Sequence, residues 1–215
     1  MKGELVEEKF DYDGGRLVTV YVPPSPPEAV VYCADGGWHI SRLTETMEGA
    51  KGPSTMIVGI HGMPDDDGRF KEYLIGADPE RFAAHEKFFV EEVRDWAQAR
   101  FDLELPSERI AVWGASVGGE FSLAIGHRHP DVYGAIFCAS PGGGYQPTED
   151  MAVPQTRTYL VGGTEEQWFL ENAARWAVAL RDAGVDVVMT ERPGDHGDAF
   201  WAEEFPLMVA WAFGT

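Results

Sequence analysis

Apolar positions along the chain fall into short runs separated by polar stretches rich in glycine and proline. Residues 4–10 and 16–22 read as two strands, joined by Asp13-Gly14-Gly15, a hairpin turn signal. An apolar strand over 29–34 ends at Asp35-Gly36-Gly37, and a helix is expected over 40–48. A second apolar strand, 55–60, ends at His61-Gly62. A long polar loop is expected over 63–78, with Asp65-Asp66-Asp67 inside it. Over 79–100 the spacing turns helical: Phe82, Phe88, Phe89, Val93, Trp96 and Ala97 share one face. Further strands are expected over 110–113, 133–139, 158–161 and 185–190. Helices are expected after Ser116, over 166–182 and over 197–213.

After the first hairpin, strands alternate with helices. That order predicts an α/β fold with a mostly parallel central sheet covered on both faces. Unbroken apolar runs such as Ile110-Ala111-Val112-Trp113 are what parallel strands buried on both faces require. A chain of 215 residues fits one domain, 1–215, with a substantial core. Pro23-Pro24-Ser25-Pro26-Pro27 reads as a stiff connector within it, and the loops are too short for a large lid.

The strand over 110–113 runs into Gly114-Ala115-Ser116-Val117-Gly118-Gly119, and Phe121, Leu123, Ala124 and Ile125 continue with helical character. Strand, sharp turn and helix with Gly-x-Ser-x-Gly at the turn is the pattern of a nucleophile elbow. Glycines remove side chains where strand and helix nearly touch, and the serine hydroxyl is left exposed at the end of the sheet. In a chain with 25 glycines the motif alone is weakly specific. Its flanking strand and helix are what raise it above an incidental serine.

A serine hydroxyl needs a base to take its proton and a carboxylate to orient that base. In this topology the chain order is serine, acid, histidine. His196 is the one histidine after Asp150, and it lies in the loop beyond the last expected strand. The acid should follow the strand over 158–161, where Glu165 and Glu166 compete; either also suits a helix N-terminus capped by Thr164. Asp195 and Asp198 stand too close to His196 to be the usual orienting acid. An oxyanion hole needs two amides. One is expected at Val117, directly after the nucleophile. For the other, Gly37 is favoured over Met63, because only one helix separates the Met63 loop from the elbow strand.

Charge narrows the partners. A formal net charge of −19 argues against nucleic acid and anionic membrane surfaces. No stretch is apolar and long enough to span a bilayer, and the first residues lack a signal-peptide core. Cys33 and Cys138 fall in apolar strands and read as buried thiols, so a cytoplasmic location is expected. No Cys/His spacing suggests a metal site, and the expected chemistry needs no cofactor. Oligomeric state is left open.

Several segments together resemble the esterase D-like and enterochelin esterase-like branch of the α/β-hydrolase superfamily. They are Tyr32-Cys33-Ala34-Asp35-Gly36, Arg69-Phe70-Lys71-Glu72-Tyr73, the elbow, Thr164-Glu165-Glu166 with Phe169-Leu170-Glu171-Asn172-Ala173, and Gly194-Asp195-His196. The likeness spans about residues 29–205, and the ordered set is far more specific than the elbow alone. The resemblance implies an α/β-hydrolase fold, minimal and without a large lid, and a serine esterase using Ser116, Glu166 and His196. Gln167 stands where the family's pattern leads one to expect proline. It also implies an oxyanion amide just after Asp-Gly, at Gly37.

Trp38, Phe70, Tyr73, Tyr145 and Trp168 fall in loops at the strand ends, where aromatic rings can line an acyl or aryl pocket, although such rings are also ordinary core material. Arg69 is a candidate substrate contact, with a buried ion pair to Glu72 or another carboxylate as the competing role. The expected substrate is a small-molecule ester: short-chain, aryl or catecholate. An acyltransferase with the same triad and a non-catalytic binding module are the alternatives.

Overall fold

The computed structural model describes residues 2–147 and 156–214. Its strands are β1 (Glu4–Phe10), β2 (Arg16–Val22), β3 (Ala29–Cys33), β4 (Thr55–Ile60), β5 (Ile110–Ala115), β6 (Ala135–Ala139), β7 (Arg157–Gly163) and β8 (Val187–Arg192). They form one sheet in the order β1-β2-β4-β3-β5-β6-β7-β8. The hairpin partners and the β2–β4 pair are antiparallel; every other pair is parallel. The helices are α1 (Gly36–Gly49), α2 (Asp66–Tyr73), α3 (Pro79–Lys87), α4 (Val93–Phe101), α5 (Val117–Arg128), α6 (Gln167–Asp182) and α7 (Phe200–Phe213).

Strands β3, β4, β5 and β6 are buried at every position, as their unbroken apolar runs require. Alternate side chains feed two cores. Val30, Tyr32 and Val112 pack with Phe82, Phe88, Phe121 and Trp176 beneath α3, α5 and α6. Val31, Cys33, Trp113 and Phe137 pack with Leu43, Phe205 and Met208 beneath α1 and α7. The fold is the α/β-hydrolase fold with helices on both faces, and among the described residues no lid domain stands over the strand ends. Both cysteines are buried and free.

Two sequence expectations need correction. The stretch expected as a polar loop over 63–78 contains α2, with the Asp65 side chain accepting the Gly68 amide at 2.9 Å as its N-cap. Its buried residues are Arg69, Glu72 and Tyr73, so its inward face is largely polar and invisible to hydrophobic periodicity. The helix expected over 79–100 is one helical run widened by a π turn at Phe88–Glu92. Phe88, Phe89 and Val90, all within this turn, are buried. His127, in the last turn of α5, is pushed down to about 4 by burial.

Glu72 binds the hairpin to the helical layer. It is fully buried and accepts Arg16 Nη1 and Nη2 at 2.9 and 2.7 Å, and Arg81 Nη2 at 2.6 Å. Burial opposes its charge, but these guanidiniums hold its carboxyl below the usual range. Glu72→Ala leaves the buried Arg16 with the longer contacts to Asp13 and the His61 carbonyl, and we expect a loss of about 3–5 kcal/mol in folding free energy, read from the denaturant midpoint at constant m-value.

Candidate active site

Strand β5 and helix α5 meet at Ser116, whose backbone sits at φ 57°, ψ −127°. This is a sparsely populated region that the surrounding contacts must enforce. The elbow has no room for side chains. A Cβ on Gly114 would lie 1.9 Å from the Gly118 carbonyl oxygen, and one on Gly118 would lie 2.9 Å from Asp35 Oδ2. The Ser116 amide is held by the Ala139 carbonyl at 2.9 Å, which ties the elbow to the neighbouring strand end.

His196 lies between Ser116 and Glu166. Its Nε2 is 3.0 Å from Ser116 Oγ, and its Nδ1 is 2.6 Å from Glu166 Oε2. A carboxylate only accepts, so the proton sits on Nδ1 and Nε2 is free to accept from the serine hydroxyl. Glu166 is 5% exposed, whereas Glu165 is exposed and turned away. The other oxygen of Glu166 accepts the Gly163 amide at 2.6 Å and the Ser140 hydroxyl, and Trp201 Nε1 donates to Ser140 Oγ at 2.7 Å. Phe169 stacks on the imidazole at 3.7 Å between ring centroids, and Trp201 meets it edge-on at 4.9 Å. Asp195 and Asp198 bond backbone amides within the loop, at His196 and Asp195, rather than the ring.

The sheet order separates the two oxyanion candidates. β3 lies directly beside β5, and β4 lies one strand further away. The loop after β3, carrying Gly37, is therefore nearer the elbow than the loop carrying Met63. Gly37 and Val117 both lie in the first turn of a helix, where amides have no intrahelical acceptor. Asp35 caps α1 in a left-handed conformation, φ 55°, and its carboxylate is clamped by Arg69. Arg69 Nε lies 2.9 and 3.0 Å from the two oxygens and Nη2 lies 2.6 Å from Oδ2, while Tyr73 Oη donates to Oδ1 at 3.1 Å. Met63 instead turns its sulfur towards Arg16 and Arg81.

Arg69, named as a substrate contact, is thus a buried partner of Asp35 rather than of Glu72, and it is 8% exposed. Tyr73 is also buried in this cluster. Trp38 and Trp168 are each 55% exposed. Trp38 stacks under the Arg69 guanidinium at 5.2 Å and lines a depression of about 240 Å³ with Gly37, His61 and Met63. A depression of about 350 Å³ beside Tyr21, Pro24 and Met47 holds none of these groups. Among the described residues no cluster of His, Cys, Asp and Glu is arranged to hold a metal ion.

Sequence reasoning missed Ser140, Trp201 and the Gly163 amide around the acid, and Asp35 as the clamp of the first helix. Only Ser140 had a visible signal, as a polar residue between a buried strand and Pro141-Gly142-Gly143-Gly144.

Comparison with known proteins follows the same lines. No curated protein matches the sequence significantly. Among solved structures, a ferulic acid esterase aligns with TM-score 0.74 and 16% identity over 97% of this chain and 99% of its own. The enterochelin esterase of Shigella flexneri aligns with TM-score 0.78 and 15% identity, over 97% of this chain but 57% of its own. The S-formylglutathione hydrolase of Staphylococcus aureus aligns with TM-score 0.70 and 13% identity, over 99% and 98%. The model of the family described as Putative esterase matches residues 13–212. The chain belongs to that family, and with it to the carboxylic-ester hydrolases of the α/β-hydrolase fold.

Proposed function

We propose that the chain is a single catalytic domain, 1–215, that hydrolyses a small carboxylic ester through an acyl-enzyme on Ser116. The observation that carries this reading is the His196 ring bridging Ser116 Oγ and Glu166. Ser116 attacks the ester carbonyl as His196 Nε2 takes its proton. His196 then returns the proton to the departing alcohol, and a water repeats the sequence to release the acid. Glu166 fixes the ring through Nδ1 and stabilises the imidazolium that forms. The Gly37 and Val117 amides receive the oxyanion. The scheme calls for no cofactor.

The substrate class we favour is a short-chain or aryl ester. Trp38 and Trp168, exposed on the helices that begin at Gly36 and Gln167, support an apolar or aromatic group on the substrate. Two neighbours are named a ferulic acid esterase and an enterochelin esterase. Two free, buried thiols suit a cytoplasmic setting.

In this scheme Arg69 acts on the oxyanion site through Asp35 and not on the substrate. It is a positioning residue, because Asp35 sets the turn that presents Gly37.

The reading is tested with p-nitrophenyl acetate and butyrate and a fluorophosphonate label. Ser116→Ala should lower kcat by about 10⁴-fold or more with little change in melting temperature. Wild type that neither turns over these esters nor labels at Ser116 would mean the fold serves binding instead. Glu166→Ala should cost about 10⁴-fold in kcat and Glu165→Ala only a small factor; the reverse would move the acid by one residue. Arg69→Met, and more mildly Tyr73→Phe, should lower kcat with KM little changed, since an oxyanion site acts in the transition state. A rise in KM alone would instead make Arg69 a substrate contact.

A further inference from the structure

Glu120 lies in the first turn of α5, four residues after Ser116, and the esterase scheme leaves it without a role. It is 3% exposed. No cation pairs with it among the described residues. Arg175 of α6 bonds Gln146 and Asn172, and Arg128 at the far end of α5 bonds Glu86. Its titratable neighbours are the buried Cys138 thiol on β6 and the Tyr145 phenol, both pushed up by burial. Its acceptor capacity is used by the segment that leaves β6: the Tyr145 amide donates to Oε2. The Gly144 amide also favours its charged form, as does the positive end of its own helix.

The segment is shaped to the carboxylate. A Cβ on Gly142 would lie 2.1 Å from Glu120 Oε1, and one on Gly144 would lie 3.0 Å from Oε2. The intervening Gly143 faces the other way, where a Cβ would lie 2.8 Å from Cζ2 of Trp168. Residues 142–144 therefore form a thin sheet of backbone with a buried carboxylate on one side and an exposed indole on the other. Further along, Trp176 Nε1 donates to the Tyr145 carbonyl at 3.3 Å and fixes the end of the segment to α6. The segment begins at Ser140, which bonds Glu166. It thus runs from the orienting acid to the indole beside it.

We propose, resting on the esterase reading, that Glu120 is a positioning residue for substrate binding: its carboxylate anchors segment 142–145, which backs Trp168 and sets the wall against which the ester's organic group lies. The anchor is strongest when the carboxylate is charged, because an ionised acceptor makes the stronger hydrogen bond to an amide. Burial pushes this carboxyl up to about 7, against the opposing pull of the Tyr145 and Gly144 amides. As pH falls through about 7 the anion is lost, the anchor weakens and KM rises. Above that pH the anchor is complete. Glu120→Gln leaves His196 in place, so a pH effect on KM that disappears in this variant belongs to Glu120 and not to the catalytic base.

The sign for stability runs the other way. The folded state binds the proton more tightly than an unfolded chain with an ordinary carboxyl. Ionising Glu120 therefore costs folding free energy as pH rises from the ordinary carboxylate range through about 7. A group held at that cost, beside the catalytic serine, fits retention for binding rather than for stability.

The test compares wild type, Glu120→Gln and Glu120→Ala in two measurements. The first is KM and kcat for p-nitrophenyl butyrate from pH 5.5 to 8.5. Wild-type KM should rise several-fold on the acid side of about 7, and Glu120→Gln, whose amide oxygen accepts at every pH, should lack that rise. Glu120→Ala should raise KM several-fold at all pH values and lower kcat by less. The second is amide hydrogen exchange of the peptide covering 141–147 at pH 8, which needs no turnover. Protection should fall in Glu120→Ala and fall by less in Glu120→Gln, whose neutral amide oxygen still accepts but more weakly than the carboxylate. An acid-side KM rise that persists unchanged in Glu120→Gln, or unaltered exchange in Glu120→Ala, overturns the proposal. Absence of Ser116-dependent turnover sinks the esterase reading, and the exchange comparison still decides whether Glu120 is the anchor.

Discussion

Everything at the carboxyl ends of this sheet is arranged around a serine that the backbone holds in a conformation few non-glycine residues adopt. Ser116 keeps φ 57° because β5 and α5 close on one another with no space for a side chain at Gly114 or Gly118, and because Ala139 holds its amide. The strain of about 1–3 kcal/mol that such a residue carries is borne by the two buried elements it joins. Gly118 in turn rests against Asp35, so the first turn of α5 and the cap of α1 are fixed relative to each other. A single steric constraint thus sets the nucleophile and both amide-bearing helix ends.

Two polar clusters support that constraint from opposite sides. On one side, Arg69 and Tyr73 hold Asp35 in its left-handed cap. Glu72, on the same helix as both, is locked to Arg16 and Arg81. On the other side, Ser140, itself at φ 48°, bridges Trp201 and Glu166, and Glu166 reaches His196. Both clusters bury charge or strained backbone that would be costly without satisfied partners. They occur where geometry must be held closely, whereas β3, β5 and β6 at the centre of the sheet are buried and apolar.

How much of this was legible in the sequence follows from which interactions are local. The hairpin strands fall on the expected residues, because Asp13-Gly14-Gly15 marks the turn between them. The elbow and the order serine, acid, histidine were legible because topology fixes them. Helix α2 was not, since its inward face is Arg69, Glu72 and Tyr73, whose partners lie as far away as Asp35 and Arg16. The π turn was hidden for a related reason: three consecutive apolar residues look the same whether or not all of them reach the core. The choice between Glu165 and Glu166 turned on which carboxylate points at a loop 30 residues later, and spacing alone carries no such direction. Glu120 gave no signal either, because a polar residue in the first turn of a helix is ordinary until its burial is known.

The two halves of the site rest on different supports, and that division bears on how such a scaffold can vary. Chemistry depends on the ends of β3, β5 and β7 and on the β8 loop, all pinned by sheet pairing and buried hydrogen bonds. The wall beside Trp168 depends on a glycine segment held by one carboxylate and one indole N–H. In the proposed scheme, changing that segment would alter binding without moving Ser116, His196 or Glu166. The coupling that remains runs through Ser140, which begins the segment and also bonds the acid. In the proposed scheme, a side chain added at Gly142 or Gly143 would displace Glu120 or Trp168 and so act on binding, whereas a change at Ser140 would reach both the segment and Glu166.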